Sequence, residues 1–526
     1  MYKKNRALGI LLTVFFTVTV LYPFFCLIAA VEPGSLQPLV ESTQFKKALL
    51  NSLSVTSFST VISLAIAYTI AFTINRTRIR HREFLTMLFT LPMLIPSISH
   101  GIGFINLFGT NGLVANLEIF GFKGIVMGSI MYSFPTAFLM FNDAFKYIDN
   151  SLYENARVLG LNRWETFRKI TFPYMRKSFF PSLFAVFTLI FTDYGVPLTI
   201  GGNYITLPVY LYKQVIGLLD FSKGTIIGMF LLIPATISFL LDAFRADHEV
   251  NDNVVNAYVV PENRARDVIC AILSYSVIVL MVAILGSFVY LSFVRKFPSD
   301  MSLSLFHFGY LARNDLSKYF FNSLIISVAT AILGTTIAYA SAVMVTRSNN
   351  ALRRLIHILS IVSMSIPGIV LGLSYIIAFR KTPVFNTYAI IVICNIVHFT
   401  SSPYLLAYNA LNKVNKTYED LGATYDINTA KITLKVLIPV TRGTIMEMFS
   451  YIFVNSMMTI SAVAFLYNSS TMPLSLLINR FENSLMMEET AIISLLILVV
   501  NLLVKSAVYL IKRKDAKRKQ EYELNL

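Results

Sequence analysis

Long apolar blocks, separated by short polar and basic segments, run through the whole 526-residue chain. They fall near residues 7–31, 48–74, 84–108, 124–146, 178–200 and 221–243, and again near 267–293, 318–345, 353–379, 385–411, 443–467 and 489–511. A bilayer core needs roughly 20 apolar residues per helical crossing, and each run is close to or above that length. The pattern predicts an all-α polytopic membrane protein with about 12 transmembrane helices, six in each half. A polar stretch at about 244–266, with Asp252, Glu262, Arg264 and Arg266, separates the halves. The layout expected is a first repeat over 1–245, a linker over 246–266, a second repeat over 267–512 and a basic tail over 513–526.

Two polar elbows interrupt the apolar pattern at matching points. The first spans 151–175. Ser151, three residues before Glu154, reads as a capping-box helix start, Gly160 as a helix stop, and Asn162 with Glu165 as a second start. Two short helices broken at a glycine, ending at Pro173, are expected. A shift of 266 positions places Ser151 on Thr417, Glu154 on Asp420, Asn162 on Asn428, Ile170 on Val436 and Pro173 on Pro439, giving a second elbow at 417–441. Elsewhere an offset of 271 pairs Asn51-Ser52-Leu53 with Asn322-Ser323-Leu324, Arg76 with Arg347, Pro96 with Pro367 and Gly101 with Gly372. Each half has an even number of expected helices and an elbow on the same side. The repeats therefore run parallel about an axis along the membrane normal, which puts a substrate path at their seam.

Composition sharpens this picture. The chain is 56% hydrophobic and 14% charged, well short of the roughly 25% charge of a soluble domain. The net charge of +16 would suit nucleic acid, but the basic residues sit in short clusters between apolar blocks. No nucleic-acid partner is expected. With both termini inside, the clusters Arg76–Arg82, Arg157–Lys177, Arg347–Arg354, Lys413–Lys435 and Lys512–Lys519 become cytoplasmic, as the positive-inside rule favours. Lys3, Lys4 and Arg6 before an apolar run resemble a signal peptide, but the run is long enough for a spanning helix. Cys26, Cys270 and Cys394 lie in apolar stretches without metal-ligand spacing, and no metal site is expected. The aromatic residues, 13% of the chain, fit lipid contact and interfacial belts.

The paired elbows resemble the EAA loops of binding-protein-dependent type I ABC importer permeases. That pattern has Glu-Ala-Ala, a Gly six residues after the Glu, an apolar residue at sixteen and Leu-Pro at eighteen and nineteen. Glu154, Ala156, Gly160, Ile170 and Pro173 fit, while Asn155 and Phe172 depart from it. In the second copy Asp420 stands for the Glu, Gly422 for an Ala and Asp426 for the Gly, with Val436 and Ile438-Pro439 completing it. The resemblance covers both halves. It implies that each elbow, with Leu159 among its residues, is a coupling helix seated in a cleft of a cytoplasmic ATPase. The implied partners are two ABC ATPase subunits and an extracytoplasmic solute-binding protein, and the implied location is a bacterial inner membrane. No G-x-x-x-x-G-K-[ST] stretch occurs, so a P-loop in this chain does not supply the hydrolysis. Neither a catalytic residue nor a cofactor of its own is expected, with ATP held by the partners.

The stretch Phe191–Tyr204 and Tyr212–Ile216 resembles permeases of the ferric-iron and 2-aminoethylphosphonate branch, in which the halves are commonly fused, as they are in thiamine permeases. Asp193, with Tyr194 beside it, is an ionisable residue at membrane depth and a substrate-path candidate. Its plainer reading is a helix-end cap, given Gly195 and Pro197. Pro96 and Pro367, read as mid-helix breaks, are path or hinge candidates, with packing kinks the alternative. Glu447 reads as an interface residue, and His100 and His398 as satisfied core groups. Acidic Asp193 and Glu447 without a central Lys or Arg lean toward a cationic or zwitterionic solute. Ferric iron and 2-aminoethylphosphonate lead, with thiamine and polyamine import open. An ion-coupled secondary transporter is the different-class alternative. It would need buried coupling charges and no Pro-terminated elbows. A membrane enzyme would need a clustered polar site.

Overall fold

The computed structural model describes residues 6–146, 148–243, 256, 258–348, 351–484 and 486–524. Asp252 and most of the expected linker lie outside them. The apolar runs fall mainly on helix. Six helices are long and apolar enough to cross a membrane: Arg6–Ala29, Thr43–Arg76, Phe122–Lys146, Arg264–Ser292, Leu316–Arg347 and Met487–Asp515. Three bent pairs raise the number to as many as nine among the described residues. The remaining expected runs lie on Arg82–Phe89 with Ser97–Phe108, on Phe172–Phe191 and on Phe221–Ala243. Local chemistry sets the helix starts. Ser42 accepts from the Phe45 N–H at the head of Thr43–Arg76, and Asn263 accepts from the Arg266 N–H at the head of Arg264–Ser292.

Pro96 and Pro367 are not mid-helix. Each follows a short 3-10 turn and caps the helix after it, Ser97–Phe108 and Gly368–Phe379. A proline disfavours helical backbone in the residue before it, and Ile95 (φ −119°, ψ 151°) and Ile366 (φ −99°, ψ 113°) are extended. The second break bends the chain by 112°. The expected run 443–467 is also shorter as helix, which stops at Met458 with Thr459 extended.

The halves exchange their first helices. Arg6–Ala29 packs on Leu352–Val362 and Gly368–Phe379 of the second half, where the Tyr375 hydroxyl donates to the Thr19 carbonyl at 2.7 Å. Arg264–Ser292 packs reciprocally on Thr43–Arg76 and Ser97–Phe108 of the first. Ser99 meets Ser494 at 2.9 Å, and Asn501 donates to the Leu94 carbonyl at 2.9 Å. These buried polar contacts fix the register of two faces that apolar packing alone would let slide.

Helix Arg264–Ser292 starts beside the first elbow and ends in a hairpin of strands Val294–Lys296 and Asp300–Leu303. At 1.5 Å per residue its 29 residues span about 43 Å, so the hairpin marks the opposite end of the bundle.

Candidate coupling site

The two elbows are built alike. Asp149, not Ser151, caps the first elbow helix, Asn150–Val158, by accepting from the Ser151 N–H at 2.9 Å. Asn415, 266 positions on, accepts from the Thr417 N–H at 3.1 Å at the head of Thr417–Thr424. The first elbow helix ends at Gly160, whose φ of +69° is open to glycine at no steric cost. The Leu161 N–H then reaches back to the Ala156 carbonyl at 2.9 Å. Asp426 adopts the same left-handed turn at φ +49°, which a short acidic side chain tolerates, and Ile427 reaches back to Gly422 at 2.8 Å. Asn162 and Glu165 form the expected capping box. Asn428 caps its helix by accepting from Ala430, without the reciprocal arm.

The second elbow helix does not end at Pro173. It passes through a π-turn, Phe167–Thr171, directly into Phe172–Phe191, where Pro173 sits in the first turn and needs no N–H partner. In the second half the π-turn Thr433–Leu437 precedes Pro439 by the same spacing, but the chain then bends 79° before Arg442–Met458.

The motif residues divide into two groups. Ala156 is buried, and any side chain at Gly422 would strike Ile432, so both small residues let the paired elbow helices close on each other. Ile170 and Val436 are half-buried in the π-turns, and Pro173 and Pro439 are exposed. Glu154 and Asp420 are both exposed, and Glu154 accepts from the Asn150 side chain at 2.7 Å. Leu159 is 75% exposed beside Val158 at 86% and Trp164 at 68%. The second elbow shows Leu421, Tyr425 and Leu434 to solvent. Apolar side chains this bare at the polar end of a membrane bundle mark an interaction surface. Trp164, the only tryptophan in the chain, was a signal available to sequence reading.

The substrate-path candidates lie at the seam. Asp193 accepts from the N–H groups of Gly195 and Val196 at 3.3 and 3.0 Å and bonds Ser97, so it caps the short helix Gly195–Ile200. This matches its plainer reading. Pro96 precedes that same Ser97. Tyr194 is buried, with its ring 4.8 Å from Tyr212, which stacks at 5.9 Å on Phe465 of the second half. Pro367 sits at the equivalent place in the second half, before Gly368, where a Cβ would stand 2.6 Å from Ser461 Oγ. Glu447 pairs with Lys512 toward the elbow end, so it gives no support to a cationic solute. His100 meets the Pro92 carbonyl at 3.1 Å and is a core group.

The helix bundle, its duplication and its twin elbows are those of a transport component. The chain belongs to the family of binding-protein-dependent transport system inner membrane components, whose model matches twice, over residues 60–246 and 332–515. It is a permease subunit of an ABC importer, built as a fused pair of permease repeats. Among the proteins it is similar to is a ferric transport system permease protein of Actinobacillus pleuropneumoniae, 26% identical over 517 residues, 90% of this chain and 73% of that protein. A protein of Haemophilus influenzae named as a ferric transport system permease protein is 25% identical over 500 residues, 88% of this chain and 78% of that one. A thiamine transport system permease protein of Haemophilus influenzae is 23% identical over 378 residues, 68% of each chain.

Proposed function

We propose that this chain imports ferric iron handed over by an extracytoplasmic binding protein, driven by two ATPase subunits docked on its two elbows. The observation that carries the mechanism is the pair of elbows, each a capped helix, a left-handed turn and a bare apolar face, at one end of both repeats. ATP-driven closure of the ATPase pair pushes the elbows together. Elbow two bends into its helix at Thr441 and elbow one runs straight into Phe172–Phe191, so the push reaches the seam where Tyr194, Tyr212 and Phe465 meet. The elbow end then faces the cytoplasm of a bacterial inner membrane, with both termini on that side.

Iron leads as substrate because two of the relatives matched over nearly the whole chain carry ferric transport in their names. The thiamine permease match keeps thiamine as the second reading. The test of the coupling role is Gly160→Trp. At φ +69° the new side chain is strained and projects into open space from the docking face. Uptake of labelled iron into cells should be abolished with membrane insertion unchanged, and unchanged uptake removes the coupling role from the first elbow.

A further inference from the structure

Arg76 and Arg347 end equivalent long helices next to the two elbows, and both are buried to 4% exposure. Their partners differ. Arg347 lies 3.2 Å from Glu419, itself buried on the second elbow helix, and donates to the Leu411 and Val414 carbonyls at 2.6 and 2.7 Å. The position equivalent to Glu419 in the first elbow is Tyr153, which offers Arg76 no carboxylate there. Arg76 instead donates to the Phe145 carbonyl at 3.3 Å, and its Cζ stands 3.8 Å from the ring centre of Tyr258 and 5.4 Å from that of Tyr153.

Tyr258 is not part of either repeat. It belongs to the segment joining them, and this segment is fastened to the first elbow at several points. The Asn150 N–H donates to the Asn256 carbonyl at 3.0 Å, and the Val259 N–H donates to the Asn150 side-chain oxygen at 3.1 Å. The Tyr153 and Tyr258 rings meet edge to face at 4.9 Å, and Glu262 pairs with Arg78. Asn150 also holds Glu154, so the strap reaches the motif acid.

We infer that Arg76 and Arg347 are positioning residues that set the angle of the two elbows, and that Asn256, Tyr258 and Val259 of the inter-repeat segment replace in the first elbow the ion pair used in the second. This rests on the reading of the elbows as coupling helices. A desolvated guanidinium can be held by a carboxylate or by aromatic faces, and Arg suits both. The second elbow uses one solution within its own repeat. The first uses the other and borrows a wall from the linker, so joining the repeats in one chain has a mechanical consequence.

The experiment measures ATP-driven iron uptake by the whole complex in vesicles, with the amount of inserted chain and co-purified ATPase measured alongside. Tyr258→Ala lowers uptake about thirtyfold, the scale of one lost cation–π contact to a desolvated cation. Tyr153→Glu in the same chain gives Arg76 the partner that Arg347 has, and restores most of the loss. Full uptake with Tyr258→Ala alone, or a double variant as impaired as the single, overturns the inference. Gly160→Trp is the control. If it leaves uptake intact, the coupling reading itself fails. If it abolishes uptake while Tyr258→Ala has no effect, only the strap fails.

Discussion

Gly195 and Ser461 stand at one point of the two repeats, and Ser97 and Gly368 at another. In the first half Ser97 faces Gly195, and in the second Gly368 faces Ser461, so each junction holds one hydroxyl and one glycine in opposite order. A Cβ at Gly195 would collide with Ser97. Gly195→Ser should therefore destabilise the protein by about 1–3 kcal/mol, as overpacking does, and adding Ser97→Gly should recover only part of it, because the same Cβ also stands 2.7 Å from the Ile98 backbone nitrogen. Thermal unfolding in detergent measures both. Asp193 borders the same junction. Asp193→Asn keeps a capping oxygen, while Asp193→Ala loses the cap at a cost of about 1 kcal/mol. If the Asn variant melts normally yet transports poorly, the charge itself serves the path. If it transports normally, Asp193 is a cap alone. The paired prolines and glycines were legible in the sequence because their spacing recurs. The exchanged serines and glycines were not, because each is commonplace and its partner lies about a hundred residues away.

At the scale of elements, the elbow was legible from Gly160 and from Asn162 with Glu165, whose chemistry is local. Its true first cap was missed because Ser151 is as good a capping residue as Asp149, and sequence alone does not choose between neighbours two positions apart. Pro173 was misread as a stop because a proline in a first helical turn costs nothing, and the preceding π-turn absorbs its missing donor. The hairpin at the far end was invisible. Its strands are three and four residues long and carry no alternation. It is held by His307, whose Nε2 donates to the Arg295 carbonyl while Nδ1 faces a Glu489 oxygen, each at 2.8 Å, and by the Phe297 N–H bonded to Glu488. Burial pushes the imidazole pKa down, but the Arg295 carbonyl and the two glutamates outweigh it and hold the value above the ordinary one. With the folded value raised, this stabilisation is complete in acid and is lost as pH rises through it. Protease cleavage within Val294–Leu303 should therefore speed up from mildly acidic to alkaline pH, and His307→Gln should flatten that dependence. A rate equally flat in the parent protein would contradict the assignment.

The whole molecule is held together by reciprocity. Each repeat lends its first helix to the other, which hydropathy does not reveal because it counts apolar residues without saying what they touch. The all-helical membrane class and the duplication were legible; the twelve crossings expected compare with six to nine candidate spans among the described residues, and the exchange was not legible. It predicts that a protease site placed among residues 246–255 can be cut with the two halves still co-purifying in detergent, and their separation would show the exchanged helices to be weak. The central claim is that energy enters through the elbows from separate ATPase subunits. The most direct test is iron uptake into sealed vesicles holding this chain, its ATPase subunits and its binding protein. Uptake should require ATP on the elbow side and persist when ionophores collapse every ion gradient. Uptake by this chain alone, driven by an ion gradient without ATP, would contradict the account.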